Sequence, residues 1–493
     1  MTKSLTYEGQ SMPLRIFNVL GREKQDFEPL VPGHVTMYVC GPTVYDHPHI
    51  GHAKNYIAFD VVTRYLRYSG YEVLYVQNIT DVGHLLDSGE DRILRKAAQT
   101  QSKPMAIVET YTRSYFDAMD KLGVIRPDIS PRASGHIPEM FKMIEKLLEK
   151  GHAYVAEGSV YFDVTTAPEY GKLSNRRVQE QEAGTREAVR GEKRNPEDFA
   201  LWKRADPEHI LRWDSPWGEG FPGWHIECSA MALKYLGATF DIHGGGIDNM
   251  FPHNESEIAQ SECANDASFA RYWMLVGSLT VDGIKMSKSL GNFTTIADAL
   301  KRYRPEVIRM FMQSVHYSNP IDYSEEALEA SAKGWERLYN AVRLTRRALA
   351  SAPTGSSDGN GILARLDETK AAFLAAMDDD FTTPQAIAAL QDLTRDVNTL
   401  LNSGTTVGRD VLEAIDATYT TLGGDILGII PKEDAAVGGD GQREAALIEM
   451  LIKMRTEARK AKNWAESDRI RDELAKLGVL LEDRPDGTIW RTT

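Results

Sequence analysis

The sequence predicts an α/β protein: a parallel sheet broken by an insertion, then a mainly helical stretch and a small α+β tail. Three observations carry that reading. His34 to Cys40 (HVTMYVC) is strand-like, and Tyr71 to Thr80 (YEVLYVQNIT) is strand-like again. Between them Ile57, Val61, Val62, Tyr65 and Leu66 recur at the three- and four-residue spacing of a helix, which Gly70 would stop. Strand, helix, strand is a βαβ unit, the seed of a Rossmann-type sheet.

The remaining elements follow in chain order. The segment from about 125 to 215 is charged and lacks clear α/β alternation, so it reads as an insertion. Sheet-like runs return at Thr239 to His243 and Met274 to Val281. From about 292 to 427 the pattern is mainly helical, with Thr295 and Asp298 at capping-box spacing. Ser351 to Gly361 and Pro431 to Gln442 are small, polar and turn-rich, as linkers are. In the tail, Leu447, Leu451, Met454 and Ala458 mark one face of a helix. A second helix runs from about Ser467 to Leu477 and stops at Gly478. A hairpin follows: Val479 to Asp483, a turn at Pro485-Asp486-Gly487, and Thr488 to Trp490. The expected parts are 1–125 and 216–291 as two halves of the sheet domain, 126–215 as the insertion, 292–430 as the helical domain, and 443–493 as the tail.

Bulk properties narrow the function. A chain of 493 residues suggests about three domains. No apolar run approaches the roughly 18 residues that span a bilayer, and Met1 to Ser4 leads into no signal peptide. Three cysteines, Cys40, Cys228 and Cys263, argue against a disulfide framework and for a reducing, cytoplasmic setting. A net charge of −14 means that any nucleic-acid surface must be local.

Two motifs carry phosphate chemistry. His49-Ile50-Gly51-His52 falls after a strand and at a helix start, where backbone N–H groups and the helix dipole favour anions. Both histidines can face a phosphate, and Gly51 leaves room for a nucleotide. Lys285-Met286-Ser287-Lys288-Ser289 follows a strand and a turn at Asp282-Gly283, and suits clamping of a polyphosphate. Alone, the first reads equally well as two surface histidines at a helix start, and the second reads more readily as a basic surface loop. In this order and separation they resemble the signature pair of class I aminoacyl-tRNA synthetases.

A third set points within that class. Cys40, Cys228, His253 and Glu257 form a reasonable zinc donor set, although without a CxxC pair each cysteine also reads as a small buried hydrophobe. Together with Pro222 to Ser229 (PGWHIECS) and Phe240 to Gly246 (FDIHGGG), they resemble the zinc-ligand motifs of cysteinyl-tRNA synthetases. The resemblance runs from about Leu14 to the end. It implies one Zn²⁺ per chain that binds the substrate thiol, Mg²⁺ accompanying ATP, and an amino-acid pocket lined by Thr80, Trp224 and His243. It implies His49, His52, Lys285 and Lys288 as catalytic residues, with His49, Gly51, His52 and Lys288 binding ATP. Trp224 reads alternatively as core.

Selectivity by metal makes physical sense. A steric pocket rejects a near-isostere by only about a hundredfold, whereas a metal favours a thiolate strongly over a hydroxyl. No editing domain is therefore expected. Two departures from the family pattern stand out. Asn254 and Ser256 replace neighbours of the ligands, and Thr80-Asp81-Val82-Gly83-His84 replaces a Thr-Asp-Ile-Asp-Asp run. His84 reads as lying behind the pocket or on the surface. Met377 to Pro384 (MDDDFTTP) resembles a recurring family segment, without a catalytic task.

The tail from Arg443 holds eleven basic and ten acidic residues, so it is less acidic than the rest. By the resemblance it is the anticodon-recognising domain, and 292–430 contacts the tRNA stem. Arg459, Lys460, Lys462 and Trp490 are its candidate tRNA contacts, with Trp490 stacking a base or packing as core. The expected activity is ATP-dependent formation of cysteinyl-adenylate and its transfer to tRNA(Cys), by a monomer with no membrane partner. The rivals are a mycothiol-type cysteine ligase, which lacks the tail; a non-catalytic synthetase-like RNA-binding protein, which could lose the motif histidines or lysines; and a generic nucleotidyltransferase, which explains neither the lysine loop nor the tail.

Overall fold

The computed structural model describes residues 13–83, 91–176, 192–206, 209–286, 292–355, 361–403, 406–431, 441–484 and 487–492. His84 and Lys288 lie outside these, as does the side chain of Lys285. The chain divides into two compact units, Met1–Ile430 and Pro431–Thr493.

The first unit is built on four parallel strands in the spatial order Ala270–Val276, Phe240–Gly246, His34–Val39, Glu72–Gln77. The predicted βαβ unit is its centre, with the helix Ile50–Tyr68 joining His34–Val39 to Glu72–Gln77. Successive side chains on a strand point to opposite faces. Met37 and Val39 accordingly join the core formed with Ile57, Val61 and Leu66, while Tyr38 and Cys40 join a second core with Ile226, Phe240 and Trp273. Both faces are covered, so the strands are apolar throughout rather than alternating. Chain connections leave His34–Val39 in opposite directions, towards Glu72–Gln77 and, after the insertion, towards Phe240–Gly246. The carboxyl ends of Phe240–Gly246 and His34–Val39 therefore frame a topological switch point, where ligands bind in open α/β sheets.

The insertion is more ordered than its sequence suggests. It holds the helix Ile137–Glu149 and an antiparallel sheet, Ala153–Ala156, Ser159–Phe162, Phe199–Arg204 and Gly220–Pro222. Its last strand, Gly220–Pro222, lies wholly beyond the expected boundary at 215. Strands of three to six residues that pair antiparallel leave no α/β alternation to read.

Four long helices follow, Glu325–Leu349, Ile362–Asp378, Thr383–Asn402 and Arg409–Thr418. They share the first core with the sheet. A buried ion pair lies beside them: Arg309, on the shorter helix Pro305–Met312, places Nη2 2.5 Å from Asp60 Oδ2 on the central helix and also donates to the carbonyl of Leu427, beyond the last of the four, at 2.8 Å. Both charged groups are fully buried, and Arg64 adds a second contact to Asp60 at 2.8 Å. Removing one partner of such a pair strands a charge. Arg309→Met is expected to cost about 3 kcal/mol, the lower end for a broken buried pair because Arg64 remains. Urea denaturation beside the Asp60→Asn, Arg309→Met double variant checks it, and the double variant should recover part of the loss.

The second unit packs the helices Gly441–Lys460 and Trp464–Lys476 with the hairpin Val479–Arg484 and Gly487–Thr492 around Ile448, Ile452, Ile470, Leu474 and Val479. The first helix turns inward one residue away from the expected face. Ile448, Ile452 and Arg455 are buried, while Leu447 and Met454 are 53% and 48% exposed. Both stripes have helical spacing. The buried one is selected by its neighbours, because Arg455 forms a bidentate pair with Asp483 of the hairpin at 2.7 and 2.7 Å. Among the described residues no helix is long and apolar enough to cross a membrane.

Candidate active site and metal centre

A cavity of 640 Å³ opens at the switch point. Cys40 to Thr43 line one side, Gly246 to Asn249 another, and His49, Gly51 and His52 a third. His49 caps the helix Ile50–Tyr68. Its Nδ1 accepts from Gly51 N–H at 3.1 Å, and Nδ1 of His52 accepts from His49 N–H at 3.1 Å. The two rings stack with centroids 3.8 Å apart. A nitrogen that accepts cannot carry the proton, so each neutral imidazole bears its N–H on Nε2. Burial, then His49, pushes His52 well below the ordinary histidine pKa. The motif is thus a pair of neutral donors, oriented by the helix start. Gly51 has a packing reason as well: a Cβ there would stand 2.9 Å from the His49 ring.

The lysine loop approaches the same cavity. Ile284–Lys285 pairs with Leu279–Val281 in a hairpin, and Met286 and Phe293 line the cavity on either side of 287–291. Ile50 N–H donates to Thr294 O at 3.2 Å, and Ile296 N–H to Pro48 O at 3.0 Å. The chain leaving the lysine loop is therefore laced to the histidine motif. Thr295 caps the next helix by accepting from Asp298 N–H at 3.1 Å, as its spacing predicts.

Behind the cavity, Cys40, Cys228, His253 and Glu257 come together, with ligand atoms all within 4.8 Å of one another and every residue buried. Cys40 directly follows a strand, Cys228 lies on the helix Trp224–Leu236, and Glu257 is in the first turn of Glu255–Asn265. A widened turn, Met250–Asn254, delivers His253. His253 Nδ1 sits 2.9 Å from Nδ1 of His225, which leaves Nε2 facing Glu257 at 3.4 Å. His243 Nε2 and Asn254 Nδ2 approach Glu257 Oε2 at 3.0 and 2.9 Å. Asn254 thus holds the carboxylate in place.

The donor set fits zinc. Tetrahedral coordination by two sulfurs, one nitrogen and one oxygen needs donor separations of about 3.3–3.8 Å, a small contraction from what is seen. The electrostatics agree. A hydrogen bond with Cys40, then burial, holds the Cys228 thiol well above its usual range. For Cys40 a bond with Cys228 lowers the pKa, but burial and Glu257 outweigh it. Burial lowers the pKa of His253, yet Glu257 carries it up to about 10. Without a cation this cluster must retain protons.

The other expected residues are placed as follows. Trp224 lines the cavity, its ring 4.3 Å from that of His253. Thr80 and His243 are buried and do not line it; His243 stacks on Trp273 at 4.2 Å. In the second unit Arg459 pairs with Asp483 at 2.7 Å, Lys460 and Lys462 are exposed, and Trp490 is half-buried with its N–H on Glu449 at 2.8 Å. Sequence reasoning missed Lys54, Arg92 and Asp248, which also line the cavity. Position at a strand's carboxyl end could have flagged Asp248, just past the glycine run.

Fold and site together define a class I aminoacyl-tRNA synthetase. The family model for the class I (C) tRNA synthetase catalytic domain matches residues 26–333, a DALR domain model matches 372–431, and the cysteinyl-tRNA ligase anticodon binding domain matches 444–491. Mycobacterium tuberculosis methionyl-tRNA synthetase, solved with methionyl-adenylate, shares the fold at a TM-score of 0.59 and 15% identity, over 81% of this chain and 92% of that one. The cysteine--tRNA ligase of Deinococcus radiodurans is 52% identical over 97% of this chain and 96% of its own length. That of Thermus thermophilus is 48% identical over 97% and 99%. The chain belongs to the cysteine--tRNA ligase family.

Proposed function

We propose that this chain activates L-cysteine with ATP and transfers it to tRNA(Cys). The observation that carries the reading is the buried cluster of Cys40, Cys228, His253 and Glu257 directly behind a cavity that holds both histidines of the phosphate motif. These four residues hold one zinc ion, which supplies a Lewis acid that favours a thiolate over a hydroxyl. Trp224 lines the amino-acid pocket, and Thr80 and His243, both buried outside the lining, support it.

In the first step the cysteine carboxylate attacks the α-phosphate of ATP, and pyrophosphate leaves. His49 and His52 donate from Nε2 to the transferring phosphate, Gly51 keeps the His49 ring in place, and Lys285 and Lys288 hold the β- and γ-phosphates, with Mg²⁺ accompanying the nucleotide. Catalysis is positioning and electrostatic stabilisation. In the second step a hydroxyl of the terminal tRNA adenosine attacks the activated carbonyl. Residues 292–430 contact the tRNA stem, and 443–493 reads the anticodon, with Lys460 and Lys462 as exposed cations. Arg459 and Trp490 reach tRNA only by giving up or sharing the contacts to Asp483 and Glu449. The protein acts as a cytoplasmic monomer. The C-terminal match favours this reading over a cysteine ligase that passes cysteine to a sugar amine.

The test is charging of total tRNA with labelled cysteine, and serine as control. Selective cysteinyl-tRNA formation is expected. Cysteine-dependent ATP–pyrophosphate exchange without charging would point to another acceptor, and loss of both would favour the non-catalytic reading.

A further inference from the structure

Lys54 lies on the histidine helix and is 3% exposed, yet among the described residues it has no carboxylate partner. Its ammonium instead donates to three carbonyls: Gly277 at 2.8 Å, Ser278 at 3.1 Å and Asn319 at 2.5 Å. Three donors meet three acceptors. Burial still pushes its pKa down to about 8. An apolar side chain would fill the volume without desolvating a charge, but it would leave these carbonyls without the donor that draws them together.

The three carbonyls belong to the segments whose relative placement shapes the cavity. Gly277 and Ser278 line it and lead into Leu279–Val281, which pairs with Ile284–Lys285 on one side and Ile321–Tyr323 on the other. Asn319 ends a loop laced to Gly277 by the bond from Gly277 N–H to Tyr317 O, 3.0 Å. The approach is tight enough that a Cβ on Gly277 would stand 2.4 Å from Ser318 O. The loop is anchored in turn, because Tyr317 O–H donates to Asp380 Oδ1 at 2.8 Å and Phe17 N–H donates to the same oxygen at 3.0 Å. Asp380 lies in the MDDDFTTP segment between two long helices. Lys54 thus sits where the histidine helix, the lysine hairpin and the foot of the helical bundle meet.

We propose that Lys54 is a positioning residue for amino-acid activation: by gathering the carbonyls of Gly277, Ser278 and Asn319, it fixes the hairpin that bears Lys285 relative to His49 and His52 across the ATP cavity. The proposal rests on the reading that both motifs act on ATP. Its prediction separates turnover from cysteine binding, because the Lys54 ammonium donates to these carbonyls and not to Cys40, Cys228, His253 or Glu257.

The experiment is cysteine-dependent ATP–pyrophosphate exchange on the full, zinc-loaded chain, with Lys54→Met, Lys54→Arg and Gly277→Ala. Lys54→Met is expected to lower kcat about 100-fold, the loss that a misplacement of about 1 Å brings. The KM for cysteine and the zinc content should hold within about twofold. Lys54→Arg, which can still reach the carbonyls, should recover at least about tenfold of the loss. Gly277→Ala wedges the junction from the other side and should show the same kcat-selective defect. Exchange by Lys54→Met within about threefold of wild type would overturn the proposal. So would a joint loss of zinc and cysteine affinity, or an arginine variant as defective as methionine. If Lys54→Met does not fold, Gly277→Ala decides by the same criteria. Absence of exchange in the wild type is a separate result that removes the underlying reading and the proposal with it.

Discussion

Cys228→Ser is expected to reduce bound zinc from about one ion per chain to background, and to abolish the preference for cysteine over serine beyond a steric level. The replacement is nearly isosteric, so the helix Trp224–Leu236 should keep its place. What changes is the donor. A hydroxyl stays protonated where a thiol bound to a cation does not, and the remaining Cys40, His253 and Glu257 leave a tetrahedral ion one ligand short. Without the metal, selection falls to what shape alone can do, roughly a hundredfold between near-isosteres. Metal analysis and exchange assays with both amino acids check this, and unchanged zinc content would sink the proposed metal site. The pH dependence has a definite sign. Both thiols are held above their usual range in the free cluster, and His253 is held up to about 10. Near neutrality zinc must therefore displace protons from all three, so its apparent affinity should rise with pH, and uptake should release protons into a weakly buffered solution.

The sheet and the helix start at His49-Ile50-Gly51-His52 were legible because their signals are local. Apolar residues at three- and four-residue spacing mark the helix Ile50–Tyr68, and a strand followed by His49-Ile50-Gly51-His52 marks its start. The metal cluster was legible only through family resemblance. Cys40 and Glu257 are 217 residues apart and meet because two parallel strands are neighbours, which no spacing encodes. Lys54 gave no signal at all: its acceptors are backbone carbonyls 223 to 265 residues away, and a lysine in an amphipathic helix reads as surface. Arg309 was hidden in the same way. The tail helix failed for another reason. Leu451 does pack against the small core, but Leu447 and Met454 give way to Ile448 and Arg455, and the partner that decides, Asp483, lies on a different element. Hydrophobic pattern alone would not choose a stripe that ends in arginine.

His52→Asn is expected to lower kcat for cysteinyl-adenylate formation by about 100- to 1,000-fold, the cost of removing one donor aimed at developing charge. The choice of asparagine separates chemistry from folding. Its side-chain oxygen can take over the bond that Nδ1 of His52 accepts from His49 N–H, so the reciprocal cap survives, while the donor on Nε2 disappears. His49→Asn tests the neighbour by the same logic, because asparagine is itself a favoured N-cap and can accept from Gly51 N–H. Thermal midpoints within a few degrees of wild type are expected for both, since a lost cap costs only about 1 kcal/mol and here it is replaced. Transfer to tRNA from preformed adenylate should change little, as the phosphate has already reacted. Because burial holds His52 neutral well below the ordinary histidine range, the wild-type rate of activation should show no loss from its protonation as pH falls from about 8 to 6.5. If activity instead followed the thermal midpoint, with asparagine restoring both, the histidines would be helix caps and the phosphate contacts would belong to other groups.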